Sequence, residues 1–268
     1  MNSITVNRKR INYQFYNLNY IDKEVCLVFL HDGLGSLKQW NDFPCKISSE
    51  LKIPAFVYDR VGHGESDDLI MRRSKNFFHR EAENLNRLLN KLQINCNLFL
   101  IGSSDGGTIA LVYSVLFPEN VKGIVTIAAH TFVEEKTISG ILELKEKYTK
   151  YSVGNYLKKF HGEKTDTLFK SWTNLWLSRK FREWNIFKDL KKVKCDVLAL
   201  QGDNDEYGTK AQLKSIKENV KGRCTIKLVK DANHFPHIKK EEEVFVLIKK
   251  FIDNKITGFN KRSSSVRY

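Results

Sequence analysis

The sequence predicts an α/β fold in which a mostly parallel, eight-stranded sheet is flanked by helices. Short apolar segments rich in β-branched residues recur along the chain, and their near-continuous hydrophobicity is typical of strands that are covered on both faces. Segments with helical spacing separate them, which favours parallel strands joined by crossover helices. The 268 residues suffice for one large domain, so a second core is not required.

The strand candidates begin with a hairpin, "ITVNRKRINYQFYN", which alternates around a central basic turn. Six apolar segments follow, at residues 24–31, 53–60, 97–103, 121–130, 195–202 and 224–230. Apolar residues at three- and four-residue steps predict one helix from Ser74 onward and another near the end of the chain. Their apolar faces carry Phe78, Ala82, Leu85, Leu89 and Leu92 in the first helix and Val244, Leu247, Ile248 and Phe251 in the second.

One segment departs from this alternation and suggests a division of the chain. Residues 132–190 hold no clear strand, have helical patterns and carry three of the four tryptophans. We predict that they form a helical cap, inserted after the sixth strand, while residues 1–131 and 191–254 form the core. The basic residues 255–268 are expected to be a disordered tail.

Composition and charge restrict the class of protein. The net charge of +14 comes from lysines scattered along the whole chain, which indicates a solvated surface and not a nucleic-acid-binding stripe. No apolar run is long enough to cross a bilayer, and the first fifteen residues lack the apolar core of a secretory signal, so we expect a cytoplasmic protein. Five cysteines without a CxxC pair predict reduced thiols and no metal site.

A cluster of small residues lies between a strand and an apolar helix in "NLFLIGSSDGGTIALVYSVLF". Ser104 fits the pattern G-x-S-x-G, whereas Ser103 does not, because Ile101 and Asp105 stand where glycines would be required. Such a turn holds its serine in a strained conformation and lifts the hydroxyl out of the sheet. The N–H of Asp105 would then point at the place where an oxyanion forms.

A serine hydroxyl becomes a good nucleophile only when a base takes its proton and a carboxylate orients that base. Two later segments offer these groups at the ends of strands. "LQGDNDEYG" contains Asp203 and Asp205, and "ANHFPH" contains His234 and His237. The chain order is therefore serine, acid, histidine.

From about residue 20 to residue 253 the chain resembles the α/β-hydrolases. The resemblance depends on "LHDGLGSLKQW", "YDRVGHGESD", "GSSDGG" and the two segments just quoted. It implies Asp205 as the acid, His234 as the base and the N–H of Gly33 as the second oxyanion donor, with Leu34 as the neighbour to consider. The sequence departs from the family where His31-Asp32-Gly33 replaces His-Gly and where Asn233 precedes His234. We expect Asp59, Arg60 and His63 to be structural and to brace the loop after the fourth strand with buried ion pairs and turns.

The resemblance implies a serine hydrolase that cleaves a small, apolar acyl substrate through an acyl-enzyme, as a carboxylesterase does, without a metal or an organic cofactor. The same fold and triad also serve C–C bond hydrolases, lyases and receptor-like proteins that bind a ligand, and these remain alternatives. Oligomeric state is not assigned. The residues expected to line the substrate pocket are Asp32, Leu34, His130, Trp176, Trp184 and Tyr207.

Overall fold

A computed structural model describes residues 2–20, 24–69 and 73–263. The strands are β1 (Asn2–Val6), β2 (Lys9–Tyr16), β3 (Val25–Leu30), β4 (Ala55–Tyr58), β5 (Asn97–Ser103), β6 (Val121–Ile127), β7 (Asp196–Gly202) and β8 (Cys224–Val229). The helices are α1 (Phe43–Leu51), α2 (Phe77–Lys91), α3 (Asp105–Leu116), α4 (Glu135–Lys150), α5 (Val153–His161), α6 (Thr165–Trp176), α7 (Phe187–Leu190), α8 (Lys210–Asn219), α9 (Pro236–Lys239) and α10 (Glu241–Ser263).

The eight strands form one sheet in the order β1-β2-β4-β3-β5-β6-β7-β8. β2 pairs antiparallel with both β1 and β4, and every later pair is parallel. The predicted α/β-hydrolase fold, with a mostly parallel sheet of eight strands flanked by helices, is confirmed. In the described part of the chain no helix is both long and apolar enough to cross a bilayer.

The central strands β3 to β7 are buried on both faces, and their side chains alternate between two apolar clusters. In β3, Val28 and Leu30 face one apolar cluster, while Leu27 and Phe29 face the other. The first cluster includes residues of α2 and α3, and the second includes residues of α1 and α10. α3 is apolar almost all round, as expected for a helix in the interior.

The chain between β6 and β7 contains α4 to α7, all within the segment 132–190. Within this described segment the β-structure is limited to an isolated bridge between Phe132 and Asn185, which lie near its two ends. Several of the aromatic side chains in this segment form a packed cluster. Trp176, Phe181 and Trp184 pack on one another with ring centroids 4.9–5.8 Å apart, and Phe78 of α2 joins them.

The prediction of a disordered tail from residue 255 is wrong for residues 255–263, because α10 continues to Ser263. Its buried positions Val244, Ile248 and Ile252 recur at four-residue steps, and Ile256 continues this stripe into the same apolar cluster. Lys255 adds an ion pair with Asp196 at the start of β7. Residues 264–268 lie outside the described residues.

The turn between β5 and α3 requires glycine because two backbones approach each other closely. A Cβ on Gly106 would lie 2.0 Å from the carbonyl oxygen of Leu30 at the end of β3. A Cβ on Gly102 would lie 2.3 Å from the carbonyl group of Gly106. Both contacts are with main-chain atoms, which cannot rotate away. The start of α3 can therefore lie directly against the carboxyl end of β3 only with these glycines.

Gly106→Ala is expected to lower the free energy of unfolding by at least about 3 kcal/mol, because the new methyl group must displace the end of β3. Urea denaturation followed by circular dichroism measures the change. Gly154→Ala, in α5, is the matched control, because the nearest atom there belongs to the side chain of Tyr148 at 3.3 Å. The control should be neutral or slightly stabilising, since alanine favours the helix. Equal effects of the two substitutions would contradict the argument.

Candidate active site

Ser104, His234 and Asp205 lie in hydrogen-bond contact, although they are far apart in the sequence. The Nε2 atom of His234 is 2.9 Å from the Oγ of Ser104, and its Nδ1 is 2.8 Å from the Oδ1 of Asp205. An imidazole that donates from Nδ1 to the carboxylate presents a lone pair at Nε2, which accepts the serine proton. All three side chains are at least nine-tenths buried.

Parallel strands bring these residues together. Ser104 follows β5, Asp205 follows β7 and His234 follows β8, and all three strands point the same way. Their carboxyl ends form one edge of the sheet, which is where open α/β sheets bind ligands.

Ser104 has a strained backbone, with φ of 50° and ψ of −118°. A positive φ is unfavourable for a residue with a Cβ, so the surroundings must hold it. Its N–H donates to the carbonyl of Ile127 (2.8 Å), and its carbonyl accepts from the N–H of Gly107 (2.9 Å). The main chain of the neighbouring strand and of α3 thus fixes the serine on both sides.

The geometry distinguishes Asp205 from the other candidate acid, Asp203. Asp205 accepts hydrogen bonds from the N–H groups of Tyr207 (2.8 Å) and Gly208 (3.2 Å) and from the side-chain amide of Gln201 (3.0 Å). The carboxylate is therefore held in place at His234. Asp203 instead accepts from the N–H of Ala232, so it organises the loop that carries His234.

The other candidate base, His237, packs against aromatic rings. Its ring lies 4.9 Å from that of Trp40 and 6.4 Å from that of Phe43. Burial lowers the pKa of His237 to about 3, so it is neutral at physiological pH. The contact with Ser104 is made by His234.

The His234–Asp205 pair shifts the protonation of both groups. Burial alone would lower the pKa of His234, but the Asp205 carboxylate outweighs it, so that the pKa of His234 lies above its ordinary value. Burial alone would raise the pKa of Asp205, yet the facing imidazole and its hydrogen bond bring it to about 2. Asp205 therefore stays ionised wherever the protein is folded near neutral pH.

Two backbone amides lie near the serine. Asp105 is the first residue of α3, and the first amides of a helix have no acceptor within it. Gly33 lies against this turn, because a Cβ on Gly33 would be 2.8 Å from the Oδ2 of Asp105 and 2.2 Å from the Nε1 of Trp172. The alternative donor, the N–H of Leu34, is already bound to the Oδ1 of Asp32 (2.9 Å).

The loop after β4 braces these groups, as expected. The guanidinium of Arg60 donates to the carbonyls of His31 (2.5 Å) and Asp32 (2.6 Å), just before Gly33. Asp59 accepts from the N–H of Leu37 (2.7 Å), and burial lowers the pKa of His63 well below its ordinary value. The side chains of Asp59, Arg60 and His63 are each about 1 % exposed, which agrees with a structural role.

Ser104 lies at a cavity of about 330 Å³. Five of the six predicted pocket residues line it: Asp32, Leu34, His130, Trp176 and Tyr207. The prediction for Trp184 is wrong, because its ring stacks on Phe181 in the aromatic cluster and does not line this cavity. Lining residues that the sequence analysis did not identify include Trp40, Ile141, Leu144, Tyr156, Leu157, Phe160, Trp172 and His237.

Trp172 had a signal in the sequence. It precedes Trp176 by four residues, so both lie on the same face of α6, and a pocket assignment for one extends to the other. Trp184 lies beyond the end of that helix and has no such relation.

The charge at the cavity is unlike that of the whole chain. Among the described residues that line it there is no lysine or arginine, and two aspartates, Asp32 and Asp105, are present. Asp105 pairs with Arg73. His130 is buried, and burial lowers its pKa to about 4, so it adds no positive charge at neutral pH. Within the described ranges no group of three or more His, Cys, Asp or Glu side chains could hold a metal ion.

Comparisons with known proteins agree with the fold. The serine hydrolase BPHL of Mus musculus is 25% identical over 259 residues, which cover 93% of this chain and 85% of the mouse protein. A proline iminopeptidase of Saccharolobus solfataricus is 22% identical and covers 91% of this chain and 89% of its own length.

Solved structures agree as well. A carboxylesterase structure from Nitrososphaera gargenis has a TM-score of 0.73 and 18% identity, with 96% of this chain and all of that chain covered. The family model of the serine aminopeptidases, S33, matches residues 25–173, which is more than half of the chain. The chain therefore belongs to the serine aminopeptidase S33 family of the α/β-hydrolases.

Proposed function

We propose that this hydrolase cleaves carboxylic esters through a Ser104–His234–Asp205 catalytic triad. The observation that carries the proposal is the unbroken hydrogen-bond chain from the Ser104 hydroxyl through the His234 imidazole to the Asp205 carboxylate. These are the parts that serine acyl transfer requires: a nucleophile, a base that takes its proton and an acid that orients the base.

In the proposed reaction, the Nε2 of His234 takes the hydroxyl proton while the Oγ of Ser104 attacks the ester carbonyl. The N–H groups of Asp105 and Gly33 hold the oxyanion of the tetrahedral intermediate. His234 then gives the proton to the departing alcohol, which leaves an acyl-enzyme. Water then attacks the acyl carbon and loses a proton to His234, which returns that proton to the Oγ of Ser104 as the bond between this oxygen and the acyl carbon breaks and the carboxylic acid departs.

The cavity favours an apolar acyl group. The helices α4 and α5 contribute Ile141, Leu144, Val153, Tyr156, Leu157 and Phe160 to its lining. Segment 132–190 acts, in this proposal, as the cap that covers the substrate and excludes water. Apolar lining with a few polar groups at one end is typical of small-molecule sites.

A second candidate function is cleavage of substrates with a free amino group. Asp32 lines the cavity, is only partly buried and has no cationic partner among the described ion pairs. An ammonium group of a substrate would pair with this carboxylate. The serine aminopeptidase family and the proline iminopeptidase relative agree with such a substrate.

Ser104→Ala is expected to lower the turnover of short acyl esters by about 10⁴-fold or more, and to abolish labelling by a fluorophosphonate probe. Ser103→Ala is the matched control, because Ser103 is the adjacent serine and its own hydroxyl is buried without a hydrogen-bond partner. The control should keep both labelling and turnover. Labelling of the Ser104→Ala variant would contradict the proposed nucleophile, and labelling of the native chain without turnover would favour a receptor-like protein.

The pH dependence of kcat/KM tests the base. Only neutral His234 can take a proton, so the rate rises with pH through the pKa of His234, and its midpoint should lie above pH 6.5 because that pKa is raised. Asp205→Asn removes the carboxylate that raises it. This variant should move the midpoint to lower pH and reduce kcat by about a thousandfold or more. A midpoint that stays in place would argue against Asp205 as the partner.

Asp32→Asn distinguishes the two candidate substrates. With an aminoacyl ester its KM should rise about tenfold, since a charge-assisted contact is lost. With the ester of the same carbon skeleton that lacks the amino group, KM should stay the same. Asparagine keeps an oxygen for the N–H of Leu34, so the loop is preserved. An equal response to both esters would remove the second candidate.

A further inference from the structure

The side chain of Asp105 is poorly placed for the proposed reaction unless its charge is balanced. It directly follows the nucleophile, is about 2 % exposed, and its Oδ2 lies against Gly33. Its own N–H and that of Gly33 are the proposed oxyanion donors. A bare carboxylate so close to them would repel the negative charge that develops on the substrate oxygen, and in a buried site this repulsion is poorly screened.

Arg73 supplies the balancing charge from a residue 32 positions earlier in the chain. Its Nη1 is 3.4 Å from the Oδ2 of Asp105, and its Nη2 donates to the carbonyl of Gly33 at 3.3 Å. Nη2 also donates to the Nε2 of His63 (3.1 Å), and the guanidinium lies 4.4 Å from the ring centroid of Phe77. One buried cation thus contacts both residues whose amides would bind the oxyanion.

Of the cationic groups near Asp105, Arg73 is the one that forms an ion pair with it. Arg60 lies 3.7 Å from Glu81, and its guanidinium binds carbonyls of the loop before Gly33. His63 is held neutral by burial, which lowers its pKa. Burial also lowers the pKa of Arg73, to about 10, so it stays charged at neutral pH. Burial raises the pKa of Asp105, and Arg73 opposes this rise more strongly than Arg60 or His234, whereas the Asp32 carboxylate adds to it.

We infer that Arg73 is a positioning residue for hydrolysis: it neutralises Asp105 and ties the carbonyl of Gly33 to it, so that the two oxyanion donors work beside a balanced charge. This inference rests on the proposed function. Its contribution belongs to the transition state, where the oxyanion is formed, and not to the bound substrate.

Arg73→Met tests the inference, together with the double variant Arg73→Met/Asp105→Asn. The single variant leaves a bare buried carboxylate and should lower kcat about ten- to a hundredfold with little change in KM. The double variant removes both charges and should recover kcat to within about fivefold of the native value. A double variant as slow as the single one, or a single variant with native kcat, would overturn the inference.

The pKa of the His234 imidazole gives a readout that does not need turnover. Loss of Arg73 should raise it, because the nearby field becomes more negative, and the double variant should bring it back. Titration by NMR measures both changes. A pKa that does not respond to Arg73→Met would overturn the inference, even if the native protein hydrolyses no ester that is tried.

Arg73→Lys keeps the test decisive if Arg73→Met does not fold, because it retains the positive charge and the apolar stem. Charge balance predicts that this variant and the neutral double variant both keep kcat within about fivefold of the native protein. A larger loss in either would overturn the inference. Failure of the proposed function is distinguishable, since it would appear as a native protein whose Ser104 is not labelled by fluorophosphonate.

Discussion

The close approach of α3 to the end of β3 is the constraint on which the site depends. Gly106 lies so near the carbonyl of Leu30 that no Cβ fits between them. This contact turns the chain sharply after β5, leaves Ser104 with a positive φ and brings the start of α3 beside Gly33. The strain at Ser104 persists because main-chain hydrogen bonds on both sides over-determine its position. The other site residues come into place through strand order, which joins β7 to β6 and β8 to β7.

Buried polar side chains then fix the loop that carries Gly33. Arg60 binds the carbonyls before it, and His161, at the end of α5, binds the carbonyl of Leu34 through Nε2 (2.8 Å) and accepts from the N–H of Gly64 through Nδ1 (2.9 Å). A helix of segment 132–190 is thereby joined to the loop after β3 and to the loop after β4. The position of the proposed oxyanion donor and that of the proposed cap are set by the same contacts, so a movement of one must disturb the other.

The sheet and the three residues in contact could be predicted because their signals are local. Strand patterns, the glycines around Ser104 and the acids and histidines at strand ends are all read from short segments. The sequence predictions are wrong where packing between distant segments determines the structure. Trp184 carries the same aromatic signal as Trp176, and both rings pack in the cluster with Phe181, but only Trp176, at the end of α6, also lines the cavity. The extension of α10 depends on Ile256 and Lys255 meeting the sheet, and composition alone suggested a tail.

No local pattern in the sequence predicts the pairing of Arg73 with Asp105 either, although this ion pair balances one of the two aspartates at the cavity. The chain carries an excess of 14 positive charges, but these lie elsewhere and the described lining holds no lysine or arginine. With Asp105 paired to Arg73 and with His130 and His237 kept neutral by burial, Asp32 is the charged group that a substrate of the proposed reaction would meet. A substrate with its own carboxylate would have to enter an apolar cavity against this group without a compensating cation. For the proposed acyl substrates we therefore expect selection against anionic groups, although the chain as a whole has a net charge of +14.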